Sequence, residues 1–465
     1  MKQKFTLMIL FSMMVMIMTA KDYNAYYQNL PCKLTEVYVP NIPDYRASLI
    51  KYGGKGDGVT LNTDAFQKAI QELSSHGGGH LDVPAGIYLT GFIKLKANVD
   101  IHLDRNATIL ITNDKKLMME SLNDKKAQSG ISGESLKNIS ITGQGYIDGN
   151  GEWWRPMKHS NVSNREWKAL LSKGGKVDTK EGVWFAYNLK HEENIRNNKE
   201  QEESLRNNLI KLTNCENVLI EGVTVMNSPR FHIVPIHCKN VIIDNVTVRC
   251  PWNATNGDGI DVTSSQNVLI VNSTIDVGDD GICMKSGIGE IGLNNGPCEN
   301  INIQDNTVYN AHGGFVIGSD CSGGFKNILV RNNTFAGTDR GLRFKSAMDR
   351  GGKTENIFID DIYMLDIQNE AIVFETTYAN HHVGGNKPIS NPNNYKYMPE
   401  FADIHINHIV CRDAKTAISA HGDKGMIYGI HIDNSTFFYT DKSLDIDKNS
   451  DIKLTNVNLK TYENN

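Results

Sequence analysis

Asn256-Gly257-Asp258-Gly259-Ile260-Asp261-Val262 and, one rung-length further on, Gly278-Asp279-Asp280-Gly281-Ile282-Cys283-Met284-Lys285 follow one pattern: a turn that brings in carboxylates, a glycine, then alternating aliphatic residues. Three later stretches continue it: His312-Gly313-Gly314-Phe315-Val316-Ile317, Arg340-Gly341-Leu342-Arg343-Phe344-Lys345 and Ala371-Ile372-Val373-Phe374-Glu375. Strand residues alternate between two faces. Aligned on Gly259, Gly281, Gly314, Gly341 and Ala371, the five stretches therefore put Ile260, Val262, Ile282, Met284, Phe315, Ile317, Leu342, Phe344, Ile372 and Phe374 on an inner face. The outer face receives Asp261, Cys283, Lys285, Val316, Arg343, Lys345 and Glu375, with Asp258, Asp280 and Arg340 in the turns at the same edge. Acids and cations thus share one side of a stack of strands.

Away from this stretch the chain repeats a smaller unit, an Asn, Asp or Gly followed by alternating aliphatics. It stands at Asn138-Ile139, Asn217-Val218, Asn240-Val241, Asn267-Val268, Asn300-Ile301, Asn327-Ile328, Asn356-Ile357, Asp403-Ile404, Gly429-Ile430 and Asp451-Ile452. A period of roughly 22 to 33 residues, short strands and Asn-rich turns point to an all-β, right-handed parallel β-helix, a solenoid whose coils stack about 4.8 Å apart. Leucine-rich repeats share the period, but their fixed Leu pattern and helical half are missing, and a propeller would need about four strands per 40 to 50 residues with Trp or Gly signatures that are not seen. An open solenoid end exposes apolar core, so the amphipathic stretch Asp64–Leu73, with Phe66, Ala69, Ile70 and Leu73 at helical spacing, is expected to be an N-terminal capping helix. Short strands are expected after it at His80–Val83, Ile93–Leu95 and Val99–Leu103.

The 465-residue chain carries a net charge of -5 and 40% hydrophobic residues, which leaves no basic surplus for nucleic acid. Lys2 and Lys4, the apolar run Phe5–Met18 and the small-residue end Thr19-Ala20 read as a signal peptide over residues 1–20, against a membrane anchor as the alternative. Residues 21–465 are then one β-helix domain, secreted or periplasmic, monomeric and without a membrane span. Eight cysteines permit disulfides, and buried free thiols are the equal alternative. Gly149–Asn208 breaks the period: its Trp153, Trp154, Trp167 and Trp184 read either as a loop wall for stacking sugars or as packing onto the solenoid, and the run Lys190–Arg206 as a solvated loop. Ala379–Pro399 reads as a surface loop.

Glycoside hydrolysis needs one carboxylic acid to protonate the leaving oxygen and one carboxylate to activate water or to attack. Asp279 and Asp280, with Asp258 on the neighbouring rung, place like charges close enough to raise at least one pKa. Arg343 and Lys345 point the same way and suit the carboxylate of an acidic sugar. Asp-rich turns that merely satisfy backbone groups are the plain alternative, and a Ca²⁺ site is another, although the nonapeptide pattern of Ca²⁺ solenoids is absent.

Asn256-Gly257-Asp258, Gly278-Asp279-Asp280, Ala311-His312-Gly313 and Arg343-Phe344-Lys345 together resemble the signature of glycoside hydrolase family 28, the polygalacturonase family, whose pattern is Asn-Thr-Asp, Gly-Asp-Asp, Gly-His-Gly and Arg-Ile-Lys. Tyr52–Gly58 resembles the corresponding segment of pectate-lyase-like β-helices. The resemblance implies hydrolysis of α-1,4 galacturonosidic bonds in pectic polymers or oligomers with inversion, no metal and no cofactor. Asp279 is then the general acid, Asp258 and Asp280 hold the attacking water, and His312 supports the acid. Arg343 and Lys345 bind the substrate carboxylate, with Asp261 and Asn256 as further substrate-binding candidates. Gly257, Ala311, Phe344 and Gly281 depart from the family's Thr, Gly, Ile and Cys. A long loop over Gly149–Asn208 would close one end of a groove and favours exo action. The other readings are a rhamnogalacturonan or other pectic galacturonidase, a pectic lyase, and a non-catalytic carbohydrate-binding solenoid.

Overall fold

A computed structural model describes residues 21–114, 116–119, 127–185, 206–348, 350–378 and 398–462. The signal-peptide reading, nearly all of the run 190–206 and the loop 379–397 lie outside the described residues.

The Asn-aliphatic unit forms coils because each Asn takes a left-handed turn. Asn138, Asn217, Asn240, Asn267, Asn300, Asn327 and Asn356 all have φ between 52° and 61°, a region that Asn tolerates far better than branched residues. The aligned side chains also bond along the stack: Asn217 Nδ2 donates to Asn138 Oδ1 at 2.9 Å and Asn240 Nδ2 to Asn217 Oδ1 at 2.7 Å. Strands that leave these turns pair in parallel with the coil before and the coil after, forming one 31-stranded parallel assembly among the described residues. This is a parallel β-helix.

Its interior is a continuous aliphatic and aromatic column. The site-bearing row consists of β1 (Ile260–Thr263), β2 (Asp280–Lys285), β3 (Gly313–Ile317), β4 (Leu342–Lys345) and β5 (Ile367–Glu375). Ile260 pairs with Ile282, Ile282 with Phe315, Phe315 with Leu342 and Leu342 with Ile372, which is the register read from the glycines. The ten expected inner side chains of this row are all 0–1% exposed. Phe344 and Phe374 stack at 4.5 Å between ring centres, and Phe401 meets Phe344 edge-on at 5.9 Å. Truncating one such ring costs about 3–5 kcal/mol.

The glycines that set the register are there because the inner turns approach closely. A Cβ at Gly281 would stand 2.5 Å from Val308 Cγ1, and one at Gly314 would stand 2.3 Å from the Phe335 ring. The departure at Gly281 from the family's Cys therefore has a partner: Val308 fills the space that the larger side chain would need.

Helix α1 (Thr63–Ser75) buries Ala65, Phe66, Ala69, Ile70 and Leu73 against the first coil, as a cap. The stretch after Gly149 differs from the expected loop. It has its own helix α2 (Asn164–Ser172), started by a capping box between Ser163 and Glu166, and an antiparallel sheet of Met157–Lys158, Lys176–Asp178 and Val183–Phe185. Trp154 and Trp184 are 2% exposed, and Trp184 Nε1 donates to Gly174 O at 2.8 Å. Trp154 packs into the solenoid's core and Trp184 within the insertion, so neither ring is a sugar platform. All eight cysteines are free thiols, six of them buried. Among the described residues no helix is long and apolar enough to cross a membrane.

Candidate active site

The outer face of β1–β4 collects the charged residues, but outward does not mean exposed. Asp261 and Cys283 are 0% exposed, Lys345 6% and Arg343 8%, because the turns before the strands and the coil-to-coil loops close over them. Burying a charge is costly unless it is paired, and the pairing here is extensive.

Asp280 lies at the centre. Lys345 Nζ donates to its Oδ2 at 2.6 Å and Arg343 Nη1 to its Oδ1 at 3.3 Å. Burial raises the carboxyl's pKa, but the two cations outweigh it and hold Asp280 well below the usual carboxylate range. Asp280 is thus an anion at any working pH. The same contacts raise Lys345 and Arg343 against the burial that opposes them.

Asp258 and Asp261 share one cation. Lys285 Nζ is 3.0 Å from Asp258 Oδ2 and 3.0 Å from Asp261 Oδ1, and 3.7 Å from the centre of the Phe231 ring. Neither oxygen of Asp261 is aligned for a hydrogen bond, and Asp258 Oδ1 is buried with no partner. Burial first and mutual repulsion second push Asp258 well above its ordinary value, and burial raises Asp261 too. The backbone beneath Asp258 is fixed by His232, a fully buried ring whose Nδ1–H donates to Asp258 O at 2.8 Å and whose Nε2 accepts from Ser228 N–H at 3.2 Å. Burial lowers the pKa of His232 to about 4, so it stays neutral and orients the turn.

Asp279 and His312 form the part that solvent reaches, with side chains 22% and 47% exposed. His312 Nδ1 is 3.1 Å from Asp279 Oδ1, its backbone N–H donates to Asp279 O at 2.9 Å, and its Nε2 is 3.7 Å from Asp339 Oδ2. Burial alone would raise Asp279, yet the His312 hydrogen bond carries it below the usual value, while His312 is raised despite its own burial. In the free site the proton of this pair rests on the imidazole. Four carboxylates, Asp258, Asp261, Asp279 and Asp280, face three permanent cations, Lys285, Arg343 and Lys345. With the one proton on His312–Asp279, the four carboxylates, counted as ionised, have four cationic partners.

All the residues singled out from the sequence come together here, with two corrections of role. Asp261 has no surface to offer a substrate; it acts through Lys285. Asn256, half-buried with φ 54°, accepts a hydrogen bond from Arg206 Nη2 at 2.9 Å, so its amide holds the insertion's end to the catalytic turn. Arg206 itself, placed by sequence in a solvated run, is 3% exposed and also donates to Thr255 O at 3.0 Å. Sequence reading put Lys285 on the outer face with Lys345 but gave it no role. It also missed Phe231, His232 and Tyr378, which lie in turns without periodicity. The Tyr378 ring stands 5.6 Å from the Arg343 guanidinium and 5.4 Å from Lys345 Nζ.

Asp258, Asp280 and Cys283 bring donor atoms within 4.8 Å of one another. They fit a divalent cation poorly, since Lys285 and Lys345 already occupy the carboxylates and burial keeps the Cys283 thiol protonated.

A parallel β-helix that carries clustered carboxylates, a solvent-facing Asp–His pair and buried counter-ions belongs to the class of polysaccharide-cleaving solenoids. Residues 167–395 match the model of glycosyl hydrolases family 28. The chain is 29% identical over 395 residues to an exo-poly-α-D-galacturonosidase of Dickeya chrysanthemi, covering 81% of this chain and 64% of that relative's length. It is 27% identical to an endo-polygalacturonase of Pectobacterium carotovorum, covering 70% and 74% of the two chains. The crystal structure of a hyperthermoactive exopolygalacturonase from Thermotoga maritima superposes with a TM-score of 0.75 at 29% identity, covering 91% of this chain and 94% of that one. These matches support glycosyl hydrolase family 28 as the family the chain resembles.

Proposed function

We propose that this protein hydrolyses α-1,4 galacturonosidic bonds in pectin-derived chains with inversion, releasing galacturonate from chain ends. The observation that carries the reading is the division of the carboxylates into two environments: Asp279, half-buried at the solvent edge and sharing a proton with His312, and Asp258 with Asp280, buried and held by cations.

Asp279 is the acid. When a sugar covers the pair and removes its water, the ionic form His312⁺–Asp279⁻ loses solvation and the neutral form gains, which moves the proton onto Asp279 at the leaving oxygen. Asp280, kept anionic by Lys345 and Arg343, and Asp258, whose buried Oδ1 lacks a donor, hold a water on the other side of the sugar. As that water attacks, its proton passes to one of these carboxylates. Arg343 Nε is also buried without an acceptor, so Arg343 keeps a donor for the uronate carboxylate after paying out Nη1 to Asp280, whereas Lys345 serves Asp280 first. The reading also places the enzyme outside the cytoplasm, as a monomer, where its polymeric substrate lies.

Exo action draws support from the folded insertion after Gly149 and from the exo-acting relatives. Oligogalacturonides of increasing length, followed over time by chromatography and by NMR of the nascent anomer, test all of this. Galacturonate as the sole early product, with inverted configuration, is expected. Mixed oligomers would defeat exo action, retention would defeat the two-base assignment, and unsaturated products would identify a lyase.

A further inference from the structure

Each cation around the carboxylate cluster has its carboxylate: Lys285 has Asp258 and Asp261, Arg343 and Lys345 have Asp280, and His312 has Asp279. Counted as ionised, these four carboxylates are matched by four cationic groups before substrate arrives. An incoming uronate adds a negative charge, and no cation named so far is free to balance it in full.

One cation at the rim is unspent. Arg230 lies in the turn Ser228–His232, which is pinned to the catalytic rung because His232 N–H and ring both donate to Asp258 O. Its guanidinium carbon is 4.7 Å from the Phe231 ring centre, and the same ring carries Lys285 Nζ at 3.7 Å. Arg230 therefore stands one aromatic ring away from the ammonium that holds Asp258. Among the described residues no carboxylate pairs with it, and its Nε is buried without an acceptor. Two neighbouring arginines differ: Arg155 donates to Ser228 O at 2.6 Å and Arg206 to Thr255 O at 3.0 Å. The turn also abuts the start of the insertion, since a Cβ at Gly149 would meet Pro229 Cδ at 3.0 Å. Arg230 thus sits where the catalytic floor meets the insertion.

We infer that Arg230 is a further substrate-binding residue, taking the carboxylate of a uronic acid unit beside the reacting bond. The inference rests on the galacturonan reading above and adds a second anionic contact to it. A guanidinium steadied on an aromatic face, with an N–H short of an acceptor, is suited to a carboxylate by its fork geometry.

Wild type, Arg230→Gln and Arg230→Lys are assayed on free-acid and on methyl-esterified oligogalacturonides, with thermal melts alongside. Arg230→Gln is expected to raise KM for free-acid substrate by about tenfold or more with kcat within about threefold, to leave the esterified substrate nearly unaffected, and to be partly rescued by Lys. Unchanged KM, or an equal loss on both substrates, overturns the inference while leaving the hydrolase reading intact. If Arg230→Gln fails to fold, Arg230→Lys decides alone: a rise in KM confined to free-acid substrate supports the inference, and wild-type KM overturns it. If wild type turns over none of these substrates, the hydrolase reading falls. Calorimetry with galacturonate then decides for Arg230, with weaker binding in the variants sustaining it and equal or absent binding in all three proteins overturning it.

Discussion

Asp279 and Asp258 are one rung apart and face opposite demands, and their surroundings meet them differently. Asp279 reaches solvent and shares its proton with His312; Asp258 is buried, repelled by Asp261 and only partly compensated by Lys285. Asp279→Asn should lower kcat by about 10²–10⁴-fold without moving the melting temperature, and activity within tenfold of wild type would refute the role. His312 is raised, so its proton is fully bound at low pH and lost as pH rises through that raised value. The alkaline limb of kcat should therefore lie above the ordinary imidazole pKa and be absent in His312→Asn. Asp258 is raised as well, which puts the acidic limb above the ordinary carboxyl range; a limb at the ordinary value would contradict its place as a base. Lys345 and Asp280 form a buried pair in which Asp280 is depressed, so its stabilisation is present above the ordinary carboxyl pKa and lost as acid titrates it. Lys345→Ala strands that carboxylate with only Arg343, and denaturant titration near neutral pH should show a loss of about 3–5 kcal/mol.

At the scale of the element, the strands β1–β5 are rulers whose inner faces are chosen by packing and whose outer faces are free for chemistry. The inner choice is tight. Gly281→Cys would set a side chain where Val308 Cγ1 is 2.5 Å from the new Cβ, so overpacking should cost about 1–3 kcal/mol. Val308→Ala in the same chain should recover part of it, and a double mutant no more stable than the single would show that the strain lies elsewhere. The outer choice was legible only as a direction. Register told which residues leave the core together, yet Asp261, Arg343 and Lys345 proved buried because the turn carrying Phe231 and the segment carrying Tyr378 fold over them. Neither covering piece has a period, and each is brought in by the coil from distant sequence.

The whole molecule gives the site its long axis. A solenoid offers a groove along its side, and the folded insertion after Gly149 is tied to the catalytic turn through Asn253, whose Nδ2 donates to Asn161 O at 3.2 Å. Exo action then means that early product from a long oligogalacturonide is galacturonate alone, at a rate per chain end nearly independent of length. The carboxylates already have Lys285, Arg343, Lys345 and His312 as partners, so turnover should survive a chelator unchanged. Loss on chelation with recovery on adding Ca²⁺ would move the chemistry away from two-carboxylate hydrolysis.

The sequence by itself determined the solenoid, because a left-handed Asn every coil and a period-two apolar face are local requirements written residue by residue. It determined the capping helix for the same reason, through Phe66, Ala69, Ile70 and Leu73. It also brought Asp258, Asp279, Asp280, His312, Arg343 and Lys345 to one edge, since stacking follows from register alone. Only the tertiary structure decided what those residues do to one another. Which cation neutralises Asp280, why Asp261 serves through Lys285, where the proton rests between His312 and Asp279, and why Arg230 is left over all depend on burial and on distances across coils. The insertion was legible as a break in period but not as a folded wall, because its helix and small sheet are too short to register a repeat of their own. Electrostatics in a buried cluster is decided by which groups exclude water from which others, and that is a property of contacts between residues tens of positions apart.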